Sequence, residues 1–211
     1  MWDNIQSCEK NAQEQLMATG RFEKTRDTIL SALPEIYYKD VERQVVIDKC
    51  RSWTFPPNIV LRKRFMGNAK VICLERPLVD IIKSFIYLAK SNGWTDSQLE
   101  EFQKRLVVPD SEPLMRSVTG LRWAKDNDDG DYLFIKYDNL INDTENVIKR
   151  IYTFCNLKPF KHDYLNIVNK FPENDAVYGM IGQHDVRQTI SRRVIDVKLS
   201  QDVINACVKI C

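Results

Sequence analysis

Long apolar runs, an excess of charge of one sign and paired cysteine motifs are all missing from this 211-residue sequence. No stretch is long enough to cross a bilayer, and the start, Met1–Cys8, lacks the basic and apolar regions of a signal peptide. The net charge of +2 argues against a nucleic-acid binder with a strongly basic surface. We therefore expect a soluble, cytoplasmic protein with no membrane and no nucleic acid among its partners.

The six cysteines form no CxxC pair, and no histidine partners them at zinc-finger spacing. Cys73 and Cys155 lie within apolar runs, which predicts buried free thiols. Cys207 and Cys211 are four residues apart on a predicted terminal helix. We expect neither a metal site nor a structural disulfide.

The length predicts a single domain, 1–211, because a chain of this size can bury one substantial core. Apolar, β-branched segments typical of buried strands alternate with segments of helical periodicity. The predicted strands are 44–48, 69–75 and 132–137. The predicted helices are 3–19, 21–39, 58–65, 78–90, 96–106, 113–125, one after residue 142 and one from about 200. The alternation predicts an α/β fold, with a parallel sheet flanked by helices.

Several helix ends carry capping residues. Thr95 and Gln98 have the spacing of a capping box, and Asn142 with Glu145 can cap the helix that follows them. Pro77 fits the first turn of its helix, where Asp80 suits the positive end of the helix dipole.

The segment 69–85 is the most informative part of the chain. Its apolar run ends at Arg76, and an amphipathic helix begins at once. Arg76 therefore lies at the sheet edge where open α/β sheets bind ligands, with Ser84 about two turns into the helix. An arginine fork and a nearby hydroxyl suit one phosphate group. A surface arginine and a serine bonded to its own helix backbone would give the same pattern.

Two other segments bring polar or aromatic residues to the ends of predicted strands. Lys49 and Arg51 follow the strand at 44–48, and Tyr137 ends the strand that begins at Tyr132. Cations for phosphate and an aromatic ring for a base are what a nucleotide pocket requires.

These motifs together resemble the sulfotransferase family, most closely its short bacterial and phage-type members. The resemblance rests on Asp-Lys-x-x-x-Trp from Asp48, on Ala-Lys-Val-Ile-x-x-x-Arg-Pro-x-x-Asp-x-x-x-Ser-Phe from Ala69, and on Lys-Tyr-Asp-Asn-Leu from Lys136. It covers residues 44–157 well and the rest more loosely.

The resemblance implies a P-loop nucleoside triphosphate hydrolase-like sulfotransferase fold. It also implies transfer of a sulfonate group from 3′-phosphoadenosine 5′-phosphosulfate, without a metal, to a small-molecule or glycan acceptor with a hydroxyl or amine. The product nucleotide would be adenosine 3′,5′-bisphosphate. In this comparison Arg76 and Ser84 hold the 3′-phosphate, Tyr137 contacts adenine, and Lys49 lies near the sulfonate.

The segment 182–193 resembles the basic loop that closes over the nucleotide in the family. Its candidate residues are His184, Arg187, Ser191, Arg192 and Arg193, and a solvated basic turn is the alternative interpretation. We expect Lys49, Arg51 and His184 to be catalytic, the last as a general base. His162 has no evident partner, which favours a surface position.

One departure from the family is clear. The family's glycine- and serine-rich loop for the 5′-phosphosulfate has no counterpart in the sequence. We therefore expect an N-terminally incomplete sulfotransferase domain, possessing an unpaired sheet edge that favours self-association into a homo-oligomer. A non-catalytic nucleotide- or partner-binding domain is the alternative function. A phosphate-loop kinase would need a Walker lysine, and the basic run 62–64 is more typical of a solvated helix face than of a nucleic-acid site.

Overall fold

The structure of the protein is a computed structural model that describes residues 17–42, 45–67 and 69–210. The chain divides into two compact units. The first comprises Met1–Cys50 and Pro57–Ala69, and the second comprises Arg51–Pro56 and Lys70–Cys211. The single domain that the length suggests stays a prediction.

The described part of the first unit contains one helix and all but the first residue of a second. Helix α1 spans Arg21–Tyr37 and follows Gly20, whose positive φ of 66° is one that glycine adopts without strain. Helix α2 spans Pro56–Phe65, two residues longer at its start than the predicted helix. The predicted helix at 3–19 lies mostly outside the described residues.

The basic run 62–64 is only in part the solvated helix face that we predicted, because Lys63 and Arg64 are exposed whereas Arg62 is buried. Arg62 is only 1% exposed and donates a hydrogen bond of 2.5 Å to the carbonyl of Ala69. Arg64 forms an ion pair with Asp27 of helix α1. Within the first unit these arginines therefore bond to the protein itself.

The predicted strand at 44–48 is wrong over the residues that the structure describes. Residues 45–48 are not in a strand, and Ile47 is 84% exposed. A β-branched side chain favours a strand only where a neighbouring strand and a buried face receive it. Val45 and Val46 are exposed as well, so the preference of β-branched residues for strands finds neither a neighbouring strand nor a buried face here.

The sheet of the second unit has two parallel strands within the described residues. Strand β1 (Val71–Glu75) pairs with strand β2 (Tyr132–Lys136), in a register that sets Val71 opposite Tyr132 and Glu75 opposite Lys136. Both strands were predicted. Their alternation is visible in β1, where the Cys73 side chain is buried whereas Ile72 and Leu74 are exposed.

Helices surround this sheet and make up most of the second unit, as an α/β fold requires. They are α3 (Leu78–Ser91), α4 (Asp96–Arg105), α5 (Met115–Asp126), α6 (Tyr137–Asn142), α7 (Thr144–Phe154) and α8 (Gln201–Ile210). Short 3₁₀ helices occur at Arg51–Thr54 and Asp175–Tyr178. Helices α3, α4, α5 and α8 correspond to predictions within a few residues.

The core forms where α3 packs against its neighbours. The buried face of α3 consists of Leu78, Ile82, Ile86 and Ala89, the 3.6-residue period that the sequence shows. The same cluster contains Leu99 and Phe102 of α4, Val203 and Cys207 of α8, and Met180. The face of α3 opposite these four residues does not belong to the core and is available for other contacts.

The predicted helix caps have different outcomes. Thr95 and Gln98 form the capping box, with the Thr95 amide donating to Gln98 Oε1 over 2.8 Å. The cap from Asn142 and Glu145 is wrong, because Asp143 occupies the N-cap position of α7 and makes no side-chain cap bond. Asn142 instead ends the short helix α6, which was not predicted.

Cys73 is a buried free thiol, as predicted, and burial is the main reason why its pKa rises to about 11. Cys155 is free but only half-buried, and Cys211 lies outside the described residues. None of the described helices combines the length and the apolar character needed to cross a membrane. Across the described ranges, no group of acidic, histidine and cysteine side chains is placed to hold a metal ion.

Candidate functional site

Arg76 and Tyr137 meet at the carboxyl edge of the sheet. Because Glu75 and Lys136 are opposite each other at the ends of β1 and β2, the next residue of each segment enters the same corner. The guanidinium carbon of Arg76 lies 4.8 Å from the centre of the Tyr137 ring, a cation–π contact. The corner therefore combines a fixed positive charge with an aromatic ring.

The Arg76 guanidinium has hydrogen-bonding capacity that the chain does not use. Its Nε atom is buried and finds no hydrogen-bond partner among the described residues. A buried N–H group without an acceptor costs about 1–3 kcal/mol, more when charged. An anion at this corner would supply the acceptor and remove that penalty.

The Ser84 hydroxyl is also unused. Several serines and threonines on the helices donate to the carbonyl four residues earlier, as Ser31 and Ser91 do. Ser84 Oγ makes no such bond, and no other hydrogen bond reaches it from the part of the chain that the structure describes. The alternative of a serine bonded to its own helix is therefore wrong.

Ser84 lies on the side of α3 away from the core. Asp80 precedes it by four residues and Tyr87 follows by three, so the three side chains share one helix face, and all are half-buried. This face, here called the Ser84 face, is the surface on which a second segment of the chain rests.

That second segment is the basic segment, residues 187–193. Arg192 forms an ion pair with Asp138, and its Nη1 lies 3.9 Å from Oδ2 of Asp80. The guanidinium carbon of Arg193 lies 4.1 Å from the centre of the Tyr87 ring. The structure thus brings Arg192 and Arg193 together with the Ser84 face.

The other two candidate residues of the basic segment, Arg187 and Ser191, form a hydrogen bond with each other. Arg187 Nη2 donates to the carbonyl oxygen of Ser191 over 2.5 Å, and both side chains are exposed. Their predicted part in holding a nucleotide stays a prediction.

His184 closes a loop. Asp175, which is only 7% exposed, accepts hydrogen bonds from His184 Nδ1 at 2.6 Å and from the His184 amide at 3.0 Å. The amide bond is the largest cause of the lowered pKa of Asp175, and burial opposes it. Glu173 lies 3.4 Å from the same Nδ1 atom. His184 therefore holds the loop 175–184 together, and its part as general base stays a prediction.

Lys49 and Arg51 belong to different units. Lys49 lies in the exposed, irregular segment of the first unit. Arg51 belongs to the second unit, where its exposed guanidinium donates to the carbonyl of Pro113 and lies 3.7 Å from Glu112 Oε2. Their predicted catalytic roles remain untested.

The short helix that carries Arg51 is fixed by a close approach to α5. A Cβ atom on Gly120 would lie 2.7 Å from Phe55 Cδ1 and 2.8 Å from Thr54 Oγ1, distances that real Cβ atoms do not show. The Arg116 guanidinium carbon also lies 4.8 Å from the centre of the Phe55 ring. Glycine is therefore required at position 120 for the two helices to pack.

Sequence analysis missed two residues of the site and the partner of His162, although the predicted surface position of His162 is confirmed. Asp80 and Asp138 both fall within the motifs quoted above, but spacing along the chain gives no sign that Arg192 pairs with them. His162 does have a partner, because the chain returns along α7 and sets Nε2 of His162 2.9 Å from the Tyr152 hydroxyl.

Comparison with known proteins adds to this geometry. The model of the sulfotransferase family matches residues 3–162. Among solved structures, a sulfotransferase domain from the curacin biosynthetic pathway is similar, with a TM-score of 0.50 and 14% sequence identity. The match covers 85% of this chain and 66% of that domain, so the chain spans slightly less than two thirds of its length. At this identity the likeness concerns the fold. A search of curated proteins found no match.

Proposed function

The chain belongs to the sulfotransferase family, and we propose that it binds 3′-phosphoadenosine 5′-phosphosulfate at the corner formed by Arg76 and Tyr137. The observation that carries this proposal is the buried Arg76 Nε, which has no acceptor in the described part of the chain and lies beside an aromatic ring. A nucleotide phosphate supplies the acceptor, and its base supplies a partner for the ring. The acceptor of the sulfonate is proposed to be a hydroxyl or amine of a small molecule or glycan.

Arg76 and Ser84 would hold the 3′-phosphate. Arginine presents several N–H donors in a planar fork, which matches the oxygens of a phosphate. The Ser84 hydroxyl has its proton and lone pairs available, since it does not bond back to its helix. Tyr137, which directly follows β2, would contact the adenine.

Sulfonate transfer would proceed mainly by positioning and charge stabilisation. The bond between sulfur and the 5′-phosphate oxygen breaks, a bond from sulfur to the acceptor oxygen or nitrogen forms, and the acceptor proton passes to a base. Reactions of this kind have loose transition states, so fixed cations supply much of the stabilisation. Lys49 and Arg51 are the proposed cations and His184 is the proposed base.

A second candidate function is nucleotide binding without transfer. The proposed groups for the 3′-phosphate and the adenine lie among the described residues, whereas the sequence contains no glycine-rich loop for the 5′-phosphosulfate. Such a chain would bind adenosine 3′,5′-bisphosphate and still fail to move a sulfonate.

Two measurements on the same preparation separate these candidates. Adenosine 3′,5′-bisphosphate is titrated into the protein by calorimetry, and ³⁵S-labelled donor is incubated with a panel of sugars, phenols and amines. Binding with labelled product supports the transferase. Binding without product supports the second candidate, and the absence of any binding contradicts both.

A further inference from the structure

The basic segment touches the Ser84 face at two points that lie on either side of Ser84. Arg192 reaches Asp80 and Asp138, while Arg193 stacks on Tyr87. Asp80 is one helical turn before Ser84 and Tyr87 is about one turn after it. The segment therefore crosses the helix at the level of the hydroxyl that is proposed to hold phosphate.

Other bonds fix the chain on either side of these contacts. Upstream, the side-chain amide of Asn92 exchanges two hydrogen bonds with the backbone of Ile181, of 2.9 and 3.0 Å. Within the segment, the Ile190 amide donates to the Tyr164 carbonyl over 3.3 Å. Downstream, Val197 and Leu199 pack against the core. These contacts restrict the position of the basic segment, but none of them holds it against α3 beside Ser84.

The charges of Arg192 and Arg193 explain why the segment lies beside Ser84. The Arg192 guanidinium lies between two carboxylates from different elements, α3 and α6, so its charge is neutralised where it stands. Arg193 contacts a ring, which leaves its charge uncompensated by a carboxylate within the described residues. Arg192 is thus suited to anchoring the segment, and Arg193 to meeting an anion.

We infer that Asp80 and Asp138 are positioning residues, which hold the basic segment over the Ser84 face by binding Arg192. The inference rests on the proposed function in one respect, namely that this face receives the nucleotide phosphate. A segment held in this way has to move aside for a nucleotide to enter. Loss of the two carboxylates should therefore release the segment from the Ser84 face and speed nucleotide entry.

Limited trypsin digestion of the full-length protein without nucleotide tests the anchoring directly. The bonds after Arg187, Arg192 and Arg193 are the reporters, and mass spectrometry assigns each cut. In a variant with both Asp80→Asn and Asp138→Asn, we expect cleavage there about three- to tenfold faster, the scale of two exposed ion pairs. Unchanged cleavage would overturn the inference.

Two further variants serve as controls for the trypsin experiment. Asp196→Asn removes a nearby exposed carboxylate that makes no contact with the arginines, so its cleavage rate should equal that of the unaltered protein. Arg192→Gln breaks the same pairs from the other side, and the bonds after Arg187 and Arg193 should become as sensitive as in the double variant. Circular dichroism and thermal unfolding establish that each variant is folded.

Stopped-flow binding of adenosine 3′,5′-bisphosphate then tests whether release of the basic segment speeds nucleotide entry. Association should be several-fold faster in the double aspartate variant than in the Asp196→Asn control. If no form of the protein binds the nucleotide, the proposed function fails while the trypsin result still decides the anchoring. If the nucleotide binds and neither the cleavage rate nor the association rate changes, the positioning role fails alone.

Discussion

At the scale of single residues, Ser84 and Ser91 provide a matched pair on one helix. They are two turns apart on the same side of α3, but only Ser91 bonds to its own backbone, through a 2.9 Å hydrogen bond to the Tyr87 carbonyl. We expect Ser84→Ala to weaken binding of adenosine 3′,5′-bisphosphate by about 1.5 kcal/mol, the value of a hydrogen bond to a charged group.

Calorimetric titration of both alanine variants makes the comparison. Ser91→Ala should bind the nucleotide within about twofold of the unaltered protein, since its hydroxyl is already engaged and can contribute little to a ligand. Equal losses in the two variants would indicate a general effect on the helix rather than a phosphate contact at Ser84.

Cys73 gives a pH-dependent prediction. Burial first, and then the negative charges of Glu75 and Asp128, raise its pKa to about 11. The thiol should therefore resist iodoacetamide at pH 8, while exposed Cys50 reacts. Peptide mapping by mass spectrometry measures both, and rapid labelling of Cys73 in the folded protein would contradict the account.

The same shift has a consequence for stability. A thiol whose pKa is higher in the folded protein than the ordinary value of 9.0 holds its proton more tightly when folded. Its contribution to the free energy of unfolding is complete below pH 9 and declines as the pH rises towards 11. A Cys73→Ala variant should lack this part of the decline.

Much of the site at this scale could be predicted from the sequence. Arg76 and Tyr137 directly follow β1 and β2, whose patterns are local, so their placement at one sheet edge follows from α/β topology. The partners of Arg192 could not be predicted, because Asp138 is 54 residues away and the intervening chain has no regular pattern after α7. The partner of His162 was missed for the same reason, since its contact with Tyr152 depends on an irregular return of the chain.

At the scale of elements, the contact between α5 and the 3₁₀ helix depends on Gly120. Replacing glycine by alanine within a helix usually stabilises it by about 1 kcal/mol. Here the added methyl group would meet Thr54 and Phe55 at under 3 Å. We expect Gly120→Ala to lower the free energy of unfolding by about 1–3 kcal/mol, the usual effect of overpacking.

Ser117, on the same helix, is the matched control for this substitution. Its Oγ atom is buried and lacks a hydrogen-bond partner within the described ranges. Removing an unsatisfied hydroxyl is neutral or stabilising, so Ser117→Ala should not lower the denaturation midpoint. Chemical denaturation of both variants measures the two effects, and a Gly120→Ala protein as stable as the unaltered one would show that the helices can move apart.

The strands and helices that were correctly predicted share a property. In β1, β2 and α3 the apolar pattern coincides with a buried face that the fold provides. The segment at 45–48 has equally strong β-branched character, but its side chains remain exposed. Local propensity was the same in both cases, and tertiary packing made the difference.

At the scale of the whole molecule, the sheet formed by the described strands β1 and β2 leaves apolar side chains exposed. On one face of β1, Ile72 is 40% and Leu74 is 51% exposed, and parallel strands are normally covered on both faces. We propose that the protein self-associates through this face. Multi-angle light scattering should show a molar mass that rises with concentration.

Leu74→Lys should reduce this association, because it places a charge on the proposed contact. Val194→Lys is the control, since Val194 is 89% exposed in an irregular segment away from the sheet strands. A constant monomer mass for the unaltered protein at all concentrations would contradict the proposal, as would equal effects of the two substitutions.

The central claim is that the half-buried Arg76, which follows β1, binds the ribose phosphate of an adenine nucleotide. Calorimetric titration of adenosine 3′,5′-bisphosphate into the unaltered protein, Arg76→Ala and Arg76→Lys tests it most directly. We expect Arg76→Ala to lose about 1.5–3 kcal/mol of binding free energy and Arg76→Lys to lose less, because lysine keeps the charge but not the fork. Binding of equal strength in all three proteins, or no binding by the unaltered protein, would contradict the claim.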